Sequence, residues 1–257
     1  MIRTLQIMFI IVYALSIAGL MSFIIVKNGE NQVPSTEIKI YRETQQGFLN
    51  VEDIRTELQT IHNLDSIKVN SLRIKSLEQQ LLKDPYVQSA DAYTDIEGHL
   101  IVHVHEKDPV LRIFNKKSKG YYVTADGDIL PLSNKYSAKV FMVNGYLSIP
   151  YQEEFTRVTD TVYKDTKLKD ILKLTNTLRK SEFLKSQINQ IYINSKMEFE
   201  LVPEFGSHII VLGDLSDLDK KLRKLNAFYQ QALLEEGLNK YKTINLKFDN
   251  QVVCVKK

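Results

Sequence analysis

The chain has 257 residues, 34 Lys and Arg against 31 Asp and Glu for a formal net charge of +3, and 44% hydrophobic residues. Acids and bases are interspersed, which excludes the single-sign field of a nucleic-acid-binding protein or one drawn to an acidic lipid surface. The single cysteine, Cys254, excludes an intrachain disulfide framework, so stability must come from a packed core.

The first element is the run Thr4 to Val26, uncharged between Arg3 and Lys27. Roughly 20 apolar residues cross a bilayer core as a helix, and lipid forces backbone groups to pair within their own segment. A cleaved signal has an apolar region of about 7–15 residues and a small-residue cleavage site. Ser22 to Val26 offers no such site, so the run is expected to be a single N-terminal transmembrane helix. Arg3 before it, with Lys27 and then Glu30 after it, favours a cytoplasmic N-terminus and an exported remainder. Residues 1–3 are then a cytoplasmic tail, 4–26 the span and 27–36 a short tether.

Glu37 to Tyr41 alternates polar and apolar residues, which predicts a strand. Asn50 before Val51-Glu52-Asp53 is an N-cap followed by acid in the first turn, and Val51, Ile54, Leu58 and Ile61 share a helical face. A helix over 51–60 follows. Ile74, Leu77, Leu81 and Leu82 stripe a second helix over 74–83, stopped at Asp84-Pro85. Two strands, 86–93 and 99–106, flank a turn ending in Gly98. The order strand, helix, helix, strand, strand puts two helices on one sheet face and leaves the other face and an edge free.

From Pro109 the texture becomes β-rich, and residues 108–257 form a second domain. Strands are expected at 110–114, 120–124, 129–130, 138–143, 188–194, 196–202, 208–212, 243–248 and 252–255, with a hairpin turn at 125–128. Two helices are expected, one over 168–180 and one over 217–235, the latter closed by Gly237. The fold class is α+β: an anchor, a β-α-α-β-β domain over 37–107, and a mostly antiparallel β domain with two helices.

No catalytic or cofactor-binding motif is present. Cys254 lies among valines with no base beside it, which suits packing or an edge strand better than nucleophilic chemistry. His103 and His105, with His99 nearby, share a strand face and could reach one ion, or be two exposed imidazoles. Glu153-Glu154 and the Asp214, Asp217, Asp219 group suit solvated loops and helix capping better than cation binding. The sharper candidate is the terminal segment. A strand at a chain end tends to lie at a sheet edge, where unpaired backbone groups receive another strand. Val252, Val253, Cys254 and Val255 form that strand, with Phe248 nearby as an anchor; the alternative is a covered last strand.

The order of these segments resembles the bacterial cell-division family FtsQ/DivIB. Leu77 to Val87 matches the family's second POTRA helix and its P-x-V step into a strand, and Leu100 to Val110 matches "L-x-I-x-V-x-E-x-x-P-V". Lys107 stands where the family often has Arg. Tyr121 to Gly127 with Ile129 to Leu132 resembles the entry into the β domain, Val140 to Gly145 the "P-x-x-x-G" region, and Ile244 to Asp249 the C-terminal pattern. The resemblance implies a POTRA-like first domain and a non-enzymatic scaffold of the inner membrane at the division septum. It further implies binding of FtsB, or the FtsB and FtsL pair, by β-augmentation through Phe248 and Val252 to Val255, without cofactor, metal or nucleic acid. Two other classes remain open: an outer-membrane assembly or secretion component, and an anchored periplasmic hydrolase or metal-binding protein using the histidines.

Overall fold

A computed structural model describes residues 2–61, 63–64, 66–115, 120–152, 156–235 and 240–257. The chain divides into two compact units, Met1–Lys107 and Asp108–Lys257.

The first unit opens with helix α1, Ile2–Gly29. Its large apolar side chains among the described residues, from Met8 to Val26, are exposed. Side chains at 2–5, 7, 24, 25 and 28 lie outside the description, and over the described residues no helix is long and apolar enough to cross a membrane. Residues 27–36, expected as a tether, are not a free linker: Val33 is buried and its N–H donates to the Ile67 carbonyl at 2.9 Å.

Strand β1 is Thr36–Tyr41, helix α2 Val51–Gln59, helix α3 Ile74–Leu81, strand β2 Val87–Thr94 and strand β3 Leu100–Glu106. A 3-10 turn, Val69–Ser71, precedes α3. The sheet order is β1-β3-β2, with β1 parallel and β2 antiparallel to β3. α2 begins where expected because the Asn50 side chain accepts the Asp53 N–H at 2.8 Å, satisfying one of the free amides of the first turn. Ile54 and Leu58 of α2, Leu77 and Leu81 of α3, and Leu100, Val102 and Val104 of β3 form one core with no exposed surface. Alternation along β3 sends Ile101, His103 and His105 to the opposite face.

The second unit contains β4 Pro109–Ile113, β5 Tyr121–Thr124, β6 Ile129–Leu130, β7 Phe141–Gly145, helix α4 Leu168–Arg179, helix α5 Glu182–Gln187, β8 Ile188–Ile193, β9 Phe199–Pro203, β10 Ile209–Gly213, helix α6 Leu218–Glu235, β11 Tyr241–Asn245 and β12 Val253–Lys256. Among the described residues, three α-helices stand where two were expected. The short α5 is nucleated by Ser181, whose hydroxyl accepts the Leu184 N–H at 3.3 Å, and six residues are too few to show a helical period. The expected closure of α6 by Gly237 and the pair Glu153-Glu154 lie outside the described residues.

Among the described residues these strands make one sheet in the order β12-β11-β10-β9-β8-β7-β4-β5-β6. The β4–β7, β7–β8 and β10–β11 pairs are parallel and the other five antiparallel. Parallel neighbours need a crossover connection, which α4 and α5 supply between β7 and β8 and α6 supplies between β10 and β11. Leu168, Ile171, Leu174 and Leu178 of α4 and Leu222, Leu225 and Tyr229 of α6 share a core with Val143, Ile191, Leu201, Ile210 and Ile244. Gly145 ends β7 at φ +113, and a side chain there would collide with the backbone of Ile193.

Candidate partner-binding edge

The last strand, β12, lies at one end of the second unit's sheet. It pairs antiparallel with β11, bringing Asn245 opposite Val253, Ile244 opposite Cys254 and Thr243 opposite Val255. Ile244 also faces Ile210, which faces Leu201, all fully buried. Cys254 therefore points to the core side, where burial pushes its thiol pKa up and leaves a poor nucleophile. Val253 and Val255 point the other way and are 37% and 53% exposed. The register continues that face through Asn245 to Val211 and Glu200.

The expected residues are brought together only in part. Val253, Cys254 and Val255 form the edge strand itself. Val252 lies just before it and packs against the core. Phe248 is not in β11, which ends at Asn245; it sits in the β11–β12 turn, 47% exposed.

That turn is held by a lysine of α6. The Lys224 ammonium on α6 donates to the carbonyls of Leu246 at 3.1 Å, Phe248 at 2.6 Å and Gln251 at 3.4 Å. A lysine has three donors and the turn presents three acceptors. Lys220 reaches Asp249 at 3.1 Å, and Lys247 reaches Glu198 at 2.6 Å, whose carboxyl that hydrogen bond holds below its usual range. Asn250 takes the left-handed conformation at φ +56, which Asn tolerates. At the other end of β12, the Lys257 N–H donates to the Lys240 carbonyl at 3.0 Å and its ammonium to Ser207 at 2.6 Å. The edge is thus pinned at both ends. Its backbone is held in a fixed extended conformation.

Behind Ser207, the buried His208 meets the Tyr229 hydroxyl at 2.8 Å through Nε2, while its Nδ1 has no partner. Burial lowers the His208 pKa, with a further push from the Lys257 charge, and burial raises that of Tyr229.

The histidines of the first unit are arranged differently. Tyr41 stacks on His105 with centroids 4.8 Å apart and meets His103 edge-on at 5.4 Å; Tyr93 meets His103 edge-on at 5.7 Å. His99 turns instead to Ser35 at 2.7 Å and Glu97 at 3.3 Å. Among the described residues no group of three His, Cys, Asp or Glu side chains is placed to hold a metal ion. Asp214 is occupied by Lys221 at 2.9 Å and by Ser216, which hold its carboxyl far below the usual range. It closes a local turn before α6 and pairs with the Lys221 ammonium on that helix.

A β-α-α-β-β module followed by a long mixed sheet ending in an open edge strand defines a protein of the POTRA-plus-β-domain class. Residues 33–105 match the POTRA-like domain, and residues 108–255 match the family described as FtsQ/DivIB, C-terminal related. The second match covers more than half of the sequence, and the chain belongs to the FtsQ/DivIB C-terminal-related family. It is similar to the cell division protein FtsQ of Geotalea daltonii, 23% identical over 187 residues, 72% of this chain. The match spans 64% of that relative, less than two thirds of its length.

Proposed function

We propose that this chain is a non-enzymatic, single-pass membrane scaffold of the bacterial division machinery. Its β12 edge receives a strand from an FtsB-type partner, alone or with an FtsL-type one. The observation that carries this reading is the position of β12, last in the sheet and pinned at both ends, with Val253 and Val255 exposed. Strand addition draws affinity from main-chain hydrogen bonds and specificity from pockets for alternate side chains. Membership of a division-protein family supports the cellular setting.

The anchor reading is supported by a 28-residue helix, about 42 Å at 1.5 Å per residue, and by a sequence uncharged between Arg3 and Lys27. The N-terminus would be cytoplasmic and the two units extracytoplasmic, at the septum. In the first unit β1 and β2 are the sheet edges and offer a place for recruitment by other division proteins.

The test is co-purification of the full chain with an FtsB-type partner. Removing residues 250–257, or introducing Val255→Lys at a position that packing does not fix, is expected to abolish or strongly weaken capture. Unchanged capture by both variants would reject the edge-strand reading.

A further inference from the structure

Within the first unit, the segment that follows α1 is packed against the residues before α3. At Gly29, the last residue of α1, an added Cβ would lie 3.4 Å from the Asn70 Cβ. The Asn31 carbonyl accepts the Val69 N–H at 3.0 Å, Gln32 and Lys68 form an isolated antiparallel bridge, and Val33 is buried. The helix therefore runs almost directly into the 3-10 turn that precedes α3.

The β2–β3 hairpin turn lies at the same end of the module. Thr36, Leu100 and Thr94 form the last cross-strand row of the sheet, and residues 95–99 project beyond it. The Leu100 N–H donates to the Ser35 carbonyl at 3.0 Å. Gly98, at φ +91, is packed so closely that a Cβ would lie 3.0 Å from a Val69 methyl. Asp95 is internally satisfied, accepting the N–H groups of Glu97 and His99 at 2.9 Å each, and Glu97 pairs with His99. At the tip stands Ile96, 89% exposed.

Distance decides what lies opposite that tip. Three residues from Val26 to Gly29 rise about 4.5 Å along a helix. The headgroup layer on each side of a bilayer is about 5–8 Å thick. With α1 spanning, Gly29 and the Asn70 packed on it fall within that layer, and the neighbouring hairpin tip has lipid rather than bulk water before it. A single exposed isoleucine is ordinary on a protein surface; beside the end of an anchor helix it has an apolar neighbour.

We propose that this end of the first unit, with Ile96 at the hairpin tip, docks on the lipid surface and seats in the headgroup layer. The inference rests on the reading of α1 as a membrane span. It fixes the module against the bilayer, so that its free sheet edges are presented at a set height above the membrane.

The sequence has no tryptophan, so single-tryptophan probes are clean. The full chain carrying Leu15→Trp in α1, Ile96→Trp at the tip, or Glu43→Trp beyond the far end of β1 is reconstituted in phosphatidylethanolamine and phosphatidylglycerol vesicles, with and without brominated acyl chains. All three positions are exposed, so none of these changes disturbs the core. The expected result is a shorter-wavelength emission and loss of intensity with bromolipid for Leu15→Trp and Ile96→Trp, and neither for Glu43→Trp. Quenching of Leu15→Trp without Ile96→Trp would overturn the docking while leaving the anchor intact. Absence of quenching at Leu15→Trp would reject the anchor and the docking together. Quenching at all three positions would overturn a contact confined to this end.

Discussion

The Glu106 carboxylate, at the end of β3, accepts the backbone N–H of Phe48 at 2.6 Å. Its second oxygen takes the Leu49 N–H at 3.3 Å and lies 3.5 Å from the Arg42 guanidinium, which itself donates to the Leu49 carbonyl at 2.9 Å. One buried carboxylate thus folds the β1–α2 connection onto the sheet. Gly47 is required beside it, since a Cβ would enter the space of the carboxylate. Charge-assisted hydrogen bonds to a buried group are worth about 1.5–3 kcal/mol each. Glu106→Gln keeps the shape but loses the charge, and is expected to destabilise the first unit by about 1–3 kcal/mol. Hydrogen exchange at the Phe48 and Leu49 amides should accelerate, while β12 amides stay unchanged.

Lys224 gives a second prediction. Lys224→Met keeps the stem packed but removes the donors that close the β11–β12 turn. The site is partly exposed, so a loss of about 1 kcal/mol is expected rather than the full value for buried charged bonds. The checks are faster exchange over residues 246–252 and weaker capture of the partner, with the α4 core unaffected.

His208 gives a pH dependence. Its folded pKa is lowered below the ordinary value of about 6.5, so below that value the unfolded chain binds more protons than the folded one. Its contribution to stability is therefore fully present above about pH 6.5 and declines as pH falls towards the lowered folded value. Thermal unfolding of the wild type from about pH 7 to about pH 5 should show a steeper loss than His208→Gln, which cannot titrate. Equal slopes would show that the imidazole is not held neutral by its burial.

The α6 core gives a fourth. Leu225 is fully buried between α6 and the sheet, and Leu225→Ala is expected to cost about 2–5 kcal/mol of stability by leaving a cavity. Because α6 carries Lys224, the same change should loosen the β11–β12 turn. Denaturant unfolding read together with exchange at residues 246–252 tests both effects.

Elements with a strong local period were readable in advance. The Leu77 and Leu81 stripe, the Asn50 cap and the alternation of Leu100, Val102 and Val104 each depend on neighbours within a turn or two. What was not readable depends on long-range pairing. Nothing local says that β7 lies between β4 and β8, because both pairs are parallel and closed through intervening segments. α5 is too short to show a period. The segment 27–36 reads as a linker by composition, yet its pairing with residues 67–69 is fixed by a turn that follows it by more than thirty residues. In the candidate edge, the β-forming run at the C-terminus was visible, and so was its tendency to lie at a margin. The ammonium that holds it was not, because Lys224 lies more than twenty residues before the turn and only tertiary packing brings the two together.

Backbone exchange in β12 tests strand addition most directly. The full chain is measured with and without the soluble segment of an FtsB-type partner, residue by residue. New protection is expected at residues 253–256, with β6, at the opposite margin of the same sheet, unchanged. Protection appearing elsewhere, with the β12 amides exchanging as fast as in the free chain, would contradict it.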